Sequence, residues 1–199
     1  MREPTVYYIR HGETAWNAAG RFQGAQDIPL NDLGLTQAAH AGSILGDLLA
    51  RDGRAALSLA FVASPLGRAR HTMELVRGAL KLEPGEYALD DRLREIGYGD
   101  WEGSTLAEQR ASHPETFATR ERDKWRVPPP GGESYAAVTN RMRDWYQSLQ
   151  GDTVAVAHGG TARALMVALG VETPLRAIDL IIDQGAVYVF RDGGLTKYR

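Results

Sequence analysis

Two histidines follow apolar runs and precede glycine, in "YYIRHGE" (His11) and "TVAVAHGG" (His158). Arg10 comes directly before the first of them, and another apolar run, "LAFVASP", ends just before Arg68. Clustered positive charges repel one another strongly in a low dielectric, so such a group indicates that an anion normally lies among them. Guanidinium groups match phosphate oxygens, and helix N-termini add backbone donors. These residue types therefore favour phosphate as the ligand.

The elements that would position these residues alternate between short apolar runs and helical patterns. We predict strands at residues 5–10, 59–64, 86–89, 153–158, 178–182 and 186–191. Helical patterns occur at 35–49, with Asn31 or Asp32 as N-cap, at 138–149, and after a capping box at Thr105 and Glu108. This order predicts a mostly parallel sheet with helices on both faces, and ligands bind beyond the carboxyl ends of such strands.

Composition limits the class of protein. The chain has 199 residues with 43% hydrophobic content, which predicts one domain over residues 1–199. Together with the order of strands and helices, this predicts a single α/β domain, a three-layer sandwich. Its net charge of -2, with both signs mixed, argues against nucleic-acid and membrane partners. It contains no cysteine, which removes disulfides and thiolate chemistry. No apolar run suits a signal peptide or a membrane span, so a cytoplasmic protein is expected.

Three further histidines lack the setting of His11 and His158. His40 and His71 fall within helical patterns, and His113 precedes Pro114 at an expected helix end. All three are interpreted as ordinary helix residues.

Seven ordered motifs resemble those of the histidine phosphatases, also called the phosphoglycerate-mutase-like superfamily. They are "RHGETAWN", "GRFQG", "PLNDLG", "SPLGRARHT", "LREIGYGDWEG", "GGES" and "VAHGGTAR". A lone R-H-G would be weak evidence, whereas seven matches in order are strong.

The resemblance implies a role for each matching residue. His11 matches the nucleophile that becomes phosphohistidine, and Glu95 matches the general acid. The phosphoryl oxygens would be held by Arg10, Arg68, His158, Asn17, Gln23 and Gly159. No metal or other cofactor is implied, since the cationic group can do what magnesium does elsewhere.

Two assignments stay open in the sequence. Four carboxylates close to Glu95 could also reach the site, namely Asp90, Asp91, Asp100 and Glu102. The resemblance also implies a small cap insertion at about 97–133, which would fold over the site. The segment from 121 to 134 is expected to be a solvated loop; alternatively Arg120, Arg122, Lys124, Trp125 or Arg126 lines the mouth of the pocket.

Within the family, the shorter chain and the motifs "REIGYGDWEG" and "PPPGGES" favour the phosphatase branch over the mutases. We expect metal-independent hydrolysis of a small phosphorylated metabolite through phosphohistidine. Phosphoglycerate mutase activity, a metal-dependent hydrolase and a non-catalytic phosphate binder are the alternatives. The sequence leaves the substrate open, and also the oligomeric state, for which a homodimer is one option.

Overall fold

A six-stranded sheet forms the centre of the computed structural model, which describes residues 3–199. Its strands are β1 (Val6–Arg10), β2 (Ala60–Ala63), β3 (Ala88–Leu89), β4 (Thr153–Ala157), β5 (Val187–Arg191) and β6 (Gly194–Tyr198). They lie in the order β3-β2-β4-β1-β5-β6. The pairs β3–β2, β2–β4 and β4–β1 are parallel, whereas β5 pairs antiparallel with β1 and with β6.

The helices form two layers, one on each face of the sheet. They are α1 (Ala15–Ala18), α2 (Asp32–Arg51), α3 (Gly67–Ala79), α4 (Leu106–Ser112), α5 (Pro114–Arg122), α6 (Tyr135–Gln147), α7 (Gly159–Ala168) and α8 (Pro174–Ala177). Short 3₁₀ turns occur at Ala56–Ser58, Asp91–Leu93 and Gly99–Trp101. The predicted α/β sandwich is therefore confirmed.

Side chains that alternate between the two faces of the sheet contribute to two hydrophobic cores, one on each face. Tyr7 and Ile9 of β1 pack in one core with residues of α2 and α3. Val6 and Tyr8 pack in the other core with residues of α6 and α7. Because successive side chains of a strand point to opposite faces, a buried central strand must be apolar at nearly every position.

Helix caps follow the sequence closely. Asn31, and not Asp32, caps α2 by accepting a hydrogen bond from the Gly34 amide at 2.8 Å. Thr105 and Glu108 form the predicted capping box of α4. The region predicted as a cap, 97–133, holds the Gly99–Trp101 turn, α4 and α5. Its function as a cap, and its limits, stay a prediction.

One predicted strand near the C-terminus was wrong, and one strand was missed. Residues 178–182 are not a strand, because they leave α8 as irregular chain whose carbonyls accept hydrogen bonds from arginine side chains. Strand β6 was missed because its exposed, polar residues lack an apolar pattern. The turn before it has positive φ at Asp192 (50°) and Gly193 (71°), and this "DG" pair was the available hairpin signal.

No helix within residues 3–199 combines the length and the apolar character needed to cross a bilayer.

Candidate active site

Three parallel strands deliver the predicted residues to one edge of the sheet. His11 follows β1, His158 follows β4, and Arg68 lies in the first turn of α3, shortly after β2. The two imidazole rings have centroids 5.1 Å apart at an interplanar angle of 61°. The proximity expected from strand polarity is therefore present, although the residues are far apart in the chain.

The tautomer of His11 follows from its hydrogen bonds. Its Nδ1 lies 2.7 Å from the Gly12 carbonyl oxygen, which can only accept, so Nδ1 carries the proton. Its Nε2 then holds a lone pair, which accepts from Arg68 Nε at 3.3 Å. Burial, and then the charges of Arg68 and Arg10, lower the pKa of His11 well below its usual 6.5. His11 is thus a neutral imidazole with Nε2 unprotonated.

His158 is fully buried beside His11, and the side chains of Ser64, Tyr8 and Thr161 bond to it. Its Nε2 lies 2.8 Å from Ser64 Oγ. The Tyr8 hydroxyl donates to the His158 carbonyl at 2.7 Å and accepts from the His158 amide at 3.1 Å. Burial, and then Arg68, lower the pKa of His158 well below 6.5. The Nδ1 atom finds no hydrogen-bond partner within the described chain.

Sequence reasoning missed Tyr8 and Ser64. Tyr8 lies two residues before Arg10, so strand alternation puts both on the same face of β1. Ser64 directly follows β2, as His11 follows β1. The alternation along β1 was the signal that could have identified Tyr8, and the position after the end of β2 was the signal for Ser64.

Carbonyl groups hold the two predicted arginines. Arg10 Nη1 donates to the Ile182 carbonyl at 2.7 Å. Arg68 donates to the carbonyls of Gln26 and Gly24, at 2.6 and 2.9 Å. Burial lowers the pKa of both guanidinium groups, and the charge of Glu95 opposes that effect. Arg10 Nε has no partner among residues 3–199. These carbonyls fix the direction of each guanidinium without cancelling its charge.

Glu95 lies at the same site and is fixed by backbone amides. Its Oε1 accepts from the amides of Gly160, at 2.9 Å, and Ile96, at 3.0 Å. A Cβ at position 160 would lie 2.4 Å from Oε1, so a residue larger than glycine would displace the carboxylate. The amide of Gly160 belongs to the first turn of α7, where the helix dipole favours a negative group.

The four neighbouring carboxylates do not line the cavity formed by these residues. Asp90 pairs with Arg92, and Asp91 pairs with Arg94. Glu102 accepts from the amides of Ala25 and Tyr98, and Asp100 is likewise outside the lining. Of the five carboxylates considered, Glu95 alone faces this cavity.

The predicted neutral contacts also reach the cavity. Asn17 Oδ1 accepts from the Thr14 amide at 3.2 Å within a capping box at the start of α1. Gln23 is 6% exposed, and its Oε1 has no partner in the described part of the chain. Gly159 is the first residue of α7 and lies against Arg10.

The cavity has a volume of about 180 Å³, which suits a small ligand. It is lined by Arg10, His11, Asn17, Gly20, Arg21, Phe22, Gln23, Gly24, Arg68, Glu95, Tyr98, Gly159 and Arg163. His158 lies behind this surface, against His11. Within residues 3–199, no group of three or more histidines or carboxylates is arranged to hold a metal ion.

Arg163 was the main lining residue that sequence reasoning missed. It lies in the quoted motif "VAHGGTAR", four residues after Gly159, so both lie on one face of α7. Its Nε donates to the Leu180 carbonyl at 2.9 Å. The helical spacing was the available signal, and Arg163 adds a third cation to the site.

The three remaining histidines, and the residues considered for the mouth of the pocket, lie outside the cavity lining. His40 and His71 are exposed on α2 and α3, and His113 accepts from Trp101 Nε1 at 3.2 Å. None of the five residues from Arg120 to Arg126 considered for the pocket mouth belongs to the lining. Trp125 instead stacks on Tyr135, with ring centroids 5.6 Å apart.

The family model described as "Histidine phosphatase superfamily (branch 1)" matches residues 6–194. The chain belongs to the histidine phosphatase superfamily. This confirms the resemblance found in the sequence motifs and makes the protein an enzyme of the phosphatase or mutase type.

The relatives carry both kinds of name. A 2,3-bisphosphoglycerate-dependent phosphoglycerate mutase of Nitrobacter hamburgensis is 32% identical over 198 residues, which cover 96% of this chain and 93% of that protein. Among solved structures, the α-ribazole phosphatase of Shigella flexneri is 25% identical with a TM-score of 0.78, covering 96% of this chain and 93% of its own. A mycobacterial glucosyl-3-phosphoglycerate phosphatase is 30% identical with a TM-score of 0.77, covering 94% and 89%.

Proposed function

We propose that this enzyme hydrolyses small phosphomonoesters, without a metal ion, through a phosphohistidine at His11. The observation that carries the proposal is the state of His11. Its Nδ1 proton is committed to the Gly12 carbonyl, and its Nε2 lone pair lies 3.3 Å from Arg68 Nε. The nucleophilic atom is thus unprotonated and adjacent to a cation that can hold the phosphoryl group.

In the first step, His11 Nε2 attacks phosphorus and the bond from phosphorus to the leaving oxygen breaks. Arg10 and Arg68 balance the charge that spreads over the phosphoryl oxygens, and the buried ring of His158 packs against His11. Glu95, in its acid form, gives its proton to the leaving alkoxide, which departs as an alcohol. The products of this step are phosphohistidine, the alcohol and the Glu95 carboxylate.

In the second step, water attacks phosphorus, and the Glu95 carboxylate takes a proton from that water. The bond between phosphorus and Nε2 breaks, phosphate is released and neutral His11 is restored. One side of the cavity supports this hydrolysis, because Gly20 is exposed and Arg21 partly exposed, which gives water a route to phosphorus.

Mutase activity is the second candidate, and one observation favours it. The Nitrobacter protein named as a mutase matches this chain over 93% of its own length, so chain length does not separate the two activities. A mutase would return the phosphoryl group to a bound phosphoglycerate. Product analysis distinguishes the two: release of inorganic phosphate favours hydrolysis, and exchange between phosphoglycerate isomers that depends on 2,3-bisphosphoglycerate favours the mutase.

Brief incubation with a ³²P-labelled phosphomonoester in the presence of a chelator, followed by an alkaline quench, should leave the label on His11. His11→Ala should lose the label and at least about a thousandfold in kcat/KM, because the covalent path is removed.

His40→Ala is the matched control, since His40 is an exposed histidine on α2 and should keep both label and rate. Label that persists in His11→Ala would exclude the assignment. Loss of activity in chelator that added magnesium restores would support the metal-dependent alternative.

A further inference from the structure

The segment between α8 and β5 makes hydrogen bonds to residues that line the cavity. Residues 180–183 have no regular secondary structure, and residue 184 begins a turn. The carbonyl of Leu180 accepts from Arg163 Nε at 2.9 Å, and the carbonyl of Ile182 accepts from Arg10 Nη1 at 2.7 Å. One irregular segment therefore orients two partly buried arginines of the cavity.

Gln184, two residues further on, contacts a third lining residue. Its Nε2 donates to Asn17 Oδ1 at 3.0 Å. The contacts at 180, 182 and 184 thus occur at every second residue. Each reaches a different residue of the cavity lining, and Gln184 itself is not part of that lining.

Gln184 acts together with Thr14 in setting which side of the Asn17 amide faces the ligand. Asn17 Oδ1 accepts from the Thr14 amide and the Thr14 hydroxyl, each at 3.2 Å, and from Gln184 Nε2 at 3.0 Å. With its oxygen turned to these three donors, the amide has its Nδ2 group left to donate to a phosphoryl oxygen. Rotation of the amide by half a turn would instead present an oxygen to the anion, which is repulsive.

Three features anchor the segment. The side chain of Ile182 is buried in the core shared with α6 and α7. The Asp183 amide donates to Tyr188 Oη at 2.7 Å, and its carboxylate accepts from Lys197 Nζ at 2.7 Å. Gly185 follows with φ of +75°, a conformation that favours glycine. Gln184 is therefore fixed before any ligand binds.

We propose that residues 180–184 are a positioning strap for the cavity, in which Gln184 is a positioning residue that turns the Asn17 amide nitrogen toward a bound phosphoryl oxygen. This rests on the proposed function, since it requires phosphate in the cavity. Gln184 acts through Asn17 and touches neither the substrate nor the reacting atoms.

A double-mutant cycle tests the proposal. The inhibition constant of inorganic phosphate, and kcat and KM for p-nitrophenyl phosphate, are measured for wild type, Gln184→Ala, Asn17→Ala and the double variant. Gln184→Ala should weaken phosphate binding about three- to tenfold, the range of one lost neutral hydrogen bond, and raise KM with little change in kcat. In the Asn17→Ala background, Gln184→Ala should have no further effect.

Equal effects of Gln184→Ala in both backgrounds would overturn the proposal, as would unchanged phosphate binding in Asn17→Ala. Gln184→Glu is the second variant, since it keeps the length of the side chain but has no donor when ionised. Wild-type phosphate affinity in Gln184→Glu would also overturn the proposal.

Gln150→Ala is the matched control, because Gln150 is an exposed glutamine, outside the cavity lining, whose Nε2 donates to the Ser148 carbonyl. It should keep all three constants. The alkaline-quench label on His11, measured in each variant, reports the proposed function separately. If the label is present on His11 but the effects of Gln184→Ala and Asn17→Ala are additive, only the proposal for the strap is rejected. If the label is absent from the wild type, the proposed function is rejected.

Discussion

The two edges of the central sheet both carry clustered arginines, but their hydrogen-bond partners differ. At the carboxyl edge of β1, Arg10 and Arg68 bond to backbone carbonyls. At the opposite edge, Arg191 pairs with Asp52 at 2.7 Å and Arg54 pairs with Asp152. Both paired arginines also donate to the hydroxyl of one tyrosine, Tyr7.

This difference separates arginines that stabilise the fold from arginines that are available to a ligand. A carboxylate partner cancels the charge of a guanidinium, whereas a carbonyl orients it and leaves its charge in place. Burial of an uncancelled charge is costly, and an anion would remove most of that cost. Size does not identify the site, since a cavity of about 1100 Å³ lies at the opposite edge, among the paired charges.

The largest difference in activity between the two edges should come from replacing a carboxylate at each of them. Glu95→Gln should lower kcat/KM for an alkyl phosphate by about 10²–10⁴-fold, because the leaving alkoxide then lacks its acid. For p-nitrophenyl phosphate the loss should be much smaller, since that leaving group needs no proton. Rates for the two substrates, measured side by side, check this.

Asp52→Asn, at the opposite edge, is the control and should keep the activity toward both substrates while lowering the thermal midpoint. An equal penalty for alkyl and aryl substrates in Glu95→Gln would show that Glu95 is not the acid.

The next largest difference, in activity and in stabilisation by phosphate, should come from replacing an arginine at each edge. Arg68→Met should reduce kcat/KM about a hundredfold, because one preorganised cation is lost from the phosphoryl site. Millimolar phosphate should raise the thermal midpoint of the wild type, and this shift should disappear in Arg68→Met.

Arg191→Met should keep the activity and the phosphate shift, and should lose about 0.5–1 kcal/mol of unfolding free energy as a partly exposed ion pair is broken. If Arg68→Met still responded to phosphate as the wild type does, the contrast between the edges would fail.

The smallest effect should be on the dependence of stability on pH. Because His11 and His158 have pKa values well below 6.5 when folded, the unfolded chain binds protons below pH 6.5 that the folded chain does not. Stability should therefore fall as the pH drops from 6.5 toward the folded-state pKa values. Urea unfolding between about pH 8 and pH 5 measures this, and a flat profile would contradict it.

The opposite edge should respond in a more acidic window. The hydrogen bond from Arg191 holds the pKa of Asp52 below its usual 3.8. The stability contributed by Asp52 is thus fully present above about pH 4 and is lost as the pH falls through the lowered pKa. His11→Ala should reduce the slope in the first window only, where His158 still contributes, and Arg191→Met should reduce the slope in the second window only.

The strongly patterned parts of the fold were predictable from sequence. The buried strands β1 and β4 are nearly continuous apolar runs, and the helix caps at Asn31 and Thr105 carry local signals. The polar edge strand β6 was missed because its pairing depends on β5 and not on its own residues. Residues 178–182 look apolar enough for a strand, but their carbonyls bond to arginine side chains.

For the site, the sequence by itself determined which residues end parallel strands, and strand polarity then places His11, Arg68 and His158 at one edge. Only the tertiary structure decided the partner of each charge. The carbonyls that hold Arg10 and Arg68, and the Gln184 donor to Asn17, come from segments remote in the chain. Backbone carbonyls and amides occur at every residue, so no pattern of side chains in the sequence shows which of them a charged group will meet.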